Sequence, residues 1–185
     1  MARTKFCLQL DGRLCFLLAL MLILLPLPWV LGAALAAAVH ELFHAVAIFL
    51  LKGNIYALHL GAGGIRMETT PMPPGRELMA AIAGPFGSVL LVLLAPWLPR
   101  TAACAAIHCV YNLLPLFPLD GGRMLQNLFL LLLPADRAVN AFDILQHIVR
   151  VSLWVLCFVA GLRWGFWPAA AGILLLLRQR MARTV

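Results

Sequence analysis

The chain has little charge and little that suits a wet surface. Of its 185 residues only 11% are charged, seven are acidic, and there are two tyrosines. With 64% hydrophobic residues and a mean hydropathy of +0.98, this scarcity excludes a soluble globule and describes an integral membrane protein. Cysteine is sparse and odd in number: Cys7, Cys15, Cys104, Cys109 and Cys157 include no C-x-x-C and lie largely in apolar runs, which excludes a disulfide framework. Internal repeats, low-complexity linkers and soluble appendages beyond short tails are also missing. The formal charge of +7, twelve Arg and two Lys against the acids, does not form a basic stripe interleaved with aromatics. Nucleic acid is therefore not an expected partner; the basic residues end apolar stretches, where they orient a chain in a bilayer and attract anionic lipid.

Stretches of about 20 residues cross ~30 Å of hydrocarbon, and the chain reads as an all-α polytopic protein with about six crossings. The first, Leu14 to Leu27, is ended by Pro26 and Pro28 and is expected to stay uncleaved. The second runs from Trp29 to Leu51, and the third, Glu77 to Leu98, is kinked at Gly84-Pro85. The fourth, Thr101 to Leu133, is too long for a simple crossing and is broken by Pro115, Pro118 and Gly121-Gly122. Such a break is tolerated in mid-membrane only where it is buried in protein or lines a wet cavity. Ile148 to Leu162 and Trp164 to Leu177 supply the fifth and sixth. Between the second and third, the run from Asn54 to Glu68 predicts a β-hairpin at the cytoplasmic edge. Eleven basic residues fall in the N-terminal segment, the loops 52–76 and 134–150 and the C-terminal tail, against Arg100 and Arg163 on the other side. That asymmetry places both termini in the cytoplasm. One membrane-embedded domain, 1–185, is expected, with a catalytic core at about 29–133 supported by helices 14–27 and 148–177.

Polar residues in such spans are few. His40-Glu41-Leu42-Phe43-His44 is an H-E-x-x-H motif inside the second span. Residues four apart share a helix face, so both imidazoles can aim at one metal while Glu41 takes a proton from water. Three ionisable side chains within five residues are costly in hydrocarbon and need a purpose; a polar cluster joining helices is the plainer alternative. A catalytic zinc needs a third protein ligand, and Asp120, at the break in the fourth span, is the candidate. Pairing with Arg123 or capping the next helix would explain Asp120 equally well.

Three separated elements together carry a resemblance: the H-E-x-x-H at 40–44, Ala83-Gly84-Pro85, and the N-x-x-P-x-x-P-x-D-G at 112–121. On these the chain resembles the site-2 protease family of intramembrane zinc metalloproteases, and most the stage IV sporulation protein FB type. The resemblance implies His40, His44 and Asp120 as ligands of one zinc ion per chain, Glu41 as general base, and Asn112 near the substrate backbone. It also implies cleavage of a membrane-bound or membrane-associated protein, as in regulated intramembrane proteolysis that activates a transcription or sigma factor precursor, with control by other membrane proteins. Many relatives carry an Asn shortly after Gly-Pro, whereas this chain reads Phe86-Gly87-Ser88, which weakens the case for a catalytic part for that segment.

A helical substrate must unwind before attack, and the 54–68 hairpin is expected to receive it as an added strand along Ile55 to Leu60. Two other functions fit some of these residues: a metal transporter using His40, His44 and Asp120 in transit, or a non-catalytic membrane scaffold with structural zinc. Glu41 and the three-ligand set disfavour both. Of the remaining polar residues, His108 reads as a core histidine, His59 as exposed, and Asp143 with His147 as a surface pair. The eight residues from His44 to Lys52 set the metal ~12 Å below the cytoplasmic surface.

Overall fold

The computed structural model describes residues 7–61 and 64–164. Prolines open the long helices: α2 (Leu27–Leu50), α3 (Pro74–Leu93) and α4 (Pro99–Asn112) each carry one in the first two helical positions, where its missing N–H costs nothing. α1 (Gly12–Leu24) precedes them, and α5 (Asp120–Leu132) and α6 (Ala135–Trp164) follow. On α2, residues Gly32, Ala36, His40, His44 and Ile48 recur every four residues and are buried. α3 answers with Ala80, Gly84 and Ser88 and α4 with Ala102, Ala105 and Cys109, so small side chains let the three backbones approach closely. Ala36, Leu91 and Ala105 form the centre of this packing. α5 lies against α3, and α6 against α5.

The outside is apolar. Phe16, Ile23, Phe49, Leu50, Trp97, Ile107, Val110 and Leu132 are all exposed, an inside-out distribution that suits lipid and not water. Among the described residues three helices are long and apolar enough to cross a membrane, Leu27–Leu50, Pro74–Leu93 and Ala135–Arg163. α4 and α5, of 14 and 13 residues, are the halves of the broken span, and α1 is a shorter apolar helix.

Three expectations change. The hairpin forms, as β2 (Ile55–Gly61) antiparallel to β3 (Gly64–Thr69), but β1 (Cys7–Leu10) joins it parallel to β2, giving a three-stranded sheet in the order β1-β2-β3. β2 is thus the middle strand, hydrogen-bonded on both sides, and Ile55 to Leu60 has no edge to offer a substrate. The 134–150 segment, expected as a loop, is the first half of α6; its polar residues face out while Ala138, Phe142, Val149 and Leu153 keep a helical apolar face. The sixth expected crossing lies outside the described residues except for its first residue, which ends α6.

The break in the fourth span is short and braced. Leu116 and Leu119 pack on Val149 and Leu153 of α6, and Phe117 N–H donates to Gln146 Oε1 at 2.9 Å, so one freed backbone group is satisfied by a side chain from the next helix. The Phe117-Pro118 peptide is cis. α5 then starts at Asp120. A side chain on Gly121 or Gly122 would collide with the backbone of Leu113, Leu114 and Leu116, so the glycines seat the helix start directly on the break.

Candidate metal centre

The break and the four-residue stripe of α2 bring three ligand atoms together. His40 Nε2 lies 2.8 Å from Asp120 Oδ2, His44 Nε2 lies 3.1 Å from the same oxygen, and the two Nε2 atoms are 3.2 Å apart. All three residues are buried, His40 to 1% exposure. Asp120 has taken neither of the plainer roles open to it in the sequence. Arg123 pairs instead with Glu77 of α3 at 2.9 Å, and Asp120 lies inside the first turn of α5, whose cap position is Leu119 and has no side-chain cap.

Each imidazole is oriented from behind by α3. His44 Nδ1 is 2.7 Å from the Ala80 carbonyl; a carbonyl only accepts, so Nδ1 carries the proton and neutral His44 presents a lone pair at Nε2. His40 Nδ1 is 2.8 Å from Ser88 Oγ, which is wholly buried. With His40 donating to that hydroxyl in the same way, two nitrogens and a carboxylate oxygen aim lone pairs into one small space. Such a set repels itself unless a cation or a proton stands among the three. Tetrahedral bonds of about 2.0–2.1 Å would separate such donors by about 3.3 Å, a few tenths of an ångström wider than the spacings here. The donor types and the outward anchoring of both rings therefore fit zinc or a similar divalent transition metal. Among the described residues, this is the group of His, Cys, Asp and Glu able to hold a metal.

Gly84 makes the close approach of α3 to both rings feasible. A Cβ there would stand 2.6 Å from His44 Cε1 and 2.7 Å from His40 Nε2. Glu41 is half-buried and close enough to act on His44 electrostatically. Asn112 is the last residue of α4 and donates its amide to the His108 carbonyl at 3.1 Å. His108 meets the His40 ring edge-on, with centroids 4.6 Å apart, so it is a neighbour of the centre as well as a core residue. His59 is half-buried on β2 and pairs with Glu68 at 2.8 Å, contrary to the expected exposure. Asp143 and His147 are exposed on α6, as expected of surface residues.

Sequence reasoning missed Ser88, the Ala80 carbonyl and Glu77. The Ala80-Gly84-Ser88 spacing of four, the same as His40-His44, was the available signal that one face of α3 matches the motif face of α2.

No protein-family model matches the sequence, and no curated protein does. Among solved structures the chain is similar to the site-2 protease from Methanocaldococcus jannaschii, with a TM-score of 0.66, 19% identity, and coverage of 96% of this chain and 91% of that one. At that identity the likeness is one of fold.

Proposed function

We propose that this chain is an intramembrane zinc endopeptidase of the site-2 protease type, cutting a membrane-bound or membrane-associated protein within or near its span. The observation that carries the reading is the convergence of His40 and His44 from one apolar helix with Asp120 from the break in another, beside Glu41. The fold likeness to a site-2 protease supports it. Two imidazoles and a carboxylate suit zinc, one per chain, with room left for a reactant.

Zinc, when bound, supplies a Lewis acid that acidifies water and polarises the scissile carbonyl. His40, His44 and Asp120 hold it, and Ser88 and Ala80 fix the two rings that do so. Glu41 takes the proton of the attacking water on its carboxylate and passes it to the leaving amine. Asn112, at the lip of the break, is placed to hold the substrate backbone. An unwound substrate segment would add to an outer edge of the sheet, that of β3 leading into α3, because β2 is closed on both sides. From His44 to the end of α2 is six residues, or ~9 Å, so water reaches the centre from the sheet side through a fraction of the bilayer.

The basic-residue asymmetry supports cytoplasmic termini and a sheet on the cytoplasmic side, with one domain of about six crossings. In that setting the product is a released regulator, such as a sigma factor precursor of the kind the sporulation branch handles, and other membrane proteins control access.

Co-expression of Glu41→Gln with a single-span reporter, with zinc measured on the purified protein, tests the reading. Lost cleavage with zinc retained is expected; undiminished cleavage would remove Glu41 from the mechanism.

A further inference from the structure

All three ligands refer to one helix. Glu77, Ala80, Gly84 and Ser88 follow one another along α3 at intervals of three, four and four residues, and so lie on one face. Ala80 holds His44, Gly84 clears space for both rings, and Ser88 holds His40. Glu77 extends the series to the third ligand, because its carboxylate accepts from Arg123 of α5, three residues beyond Asp120.

The spacing is matched on the two helices. Glu77 lies three residues from Ala80 and Arg123 three residues from Asp120, in each case about 4.5 Å along the axis. The pair is partly sheltered, with side chains 19% and 31% exposed. Asp120 also has the least secure footing of the three ligands. It opens a helix that follows seven irregular residues, and the next two positions are glycines whose backbone rests on the break. Of that first turn after Asp120, Arg123 alone has a side chain long enough to reach α3.

We propose that Glu77 and Arg123 are a positioning pair that locks the start of α5 to α3 and thereby fixes the Asp120 carboxylate against the two imidazoles. This rests on the metal reading of the centre, and on no feature of the substrate. Without the pair, Asp120 keeps its identity but loses its register relative to His40 and His44, and metal affinity falls.

The test uses the full chain in detergent, with zinc affinity measured by chelator competition and the d–d absorption of a cobalt-substituted sample as a report on ligand geometry. Glu77→Ala and Arg123→Ala are expected to weaken zinc binding about 10- to 100-fold and to change the cobalt spectrum, while the helicity and thermal midpoint of the metal-free protein stay near wild type. The exchange Glu77→Arg with Arg123→Glu should restore affinity to within a few-fold. If the alanine variants fold poorly, the isosteric Glu77→Gln serves, with a smaller loss in the same direction. Variants that bind zinc as wild type does, or that lose only metal-free stability with an unchanged cobalt spectrum, would overturn the pair's role, as would an exchange no better than the single changes. Wild-type protein that takes up no metal would overturn the metal reading and the pair's role with it; a zinc-binding wild type with unaffected variants overturns the pair alone.

Discussion

Replacing Gly84 with alanine adds one methyl group, and its effect separates the metal centre from the fold. The added carbon would stand 2.6 Å from His44 Cε1 and 2.7 Å from His40 Nε2, and closer still to His44 Nε2. Ordinary carbon contacts begin near 3.5 Å, so both rings must retreat by close to an ångström. Neither can do so freely, since each is held from behind at 2.7–2.8 Å by the helix that carries the new methyl. Metal sites tolerate displacements of about 0.2 Å, so zinc binding should fall by at least 100-fold. Stability changes less. Overpacking costs about 1–3 kcal/mol, and replacing a mid-helix glycine returns about 1 kcal/mol, leaving the metal-free protein about 0–2 kcal/mol less stable. Gly75, in the first turn of the same helix, has nothing within 4 Å of its would-be Cβ, and Gly75→Ala is the control. Zinc affinity by chelator competition and thermal unfolding in detergent read the two effects separately. Gly84→Ala binding zinc as wild type does, or Gly75→Ala harming binding equally, would refute the argument.

Ser88→Ala removes the partner of His40 Nδ1 and should weaken zinc about 10-fold with helicity unchanged, measured by the same competition; Ser88→Thr, which keeps the hydroxyl, should lie between alanine and wild type. Gln146→Ala strands the Phe117 N–H at the break and should cost about 1–3 kcal/mol, with faster hydrogen exchange at Phe117 as the local readout.

The sequence displayed the chemistry better than the architecture around it. His40 and His44 were legible because helical spacing alone puts them on one face, and Asp120 because a carboxylate at a break in an apolar run needs a reason to be there. The hairpin was legible from local alternation. β1 was not, because four residues pair with β2 only across more than forty residues of chain, and nothing within Cys7–Leu10 states the partner. α6 was cut short because its early polar residues weighed more than the apolar positions at 138, 142, 149 and 153. Ser88 was discounted as the absence of an asparagine, although a hydroxyl at that position reaches His40. Arg123 was weighed as a partner for Asp120, its neighbour in sequence, and pairs instead with Glu77 on another helix.

The central claim is that one metal is held by His40, His44 and Asp120. Zinc K-edge X-ray absorption on the purified wild-type protein tests it most directly. The account predicts a first shell of nitrogen and oxygen at about 2.0–2.2 Å, with outer-shell scattering from two imidazoles and no sulfur. Cys109 is buried at the centre's flank on α4, with its thiol 3.8 Å from the Pro85 carbonyl. A sulfur shell at about 2.3 Å, or scattering from fewer than two imidazoles, would contradict the assignment.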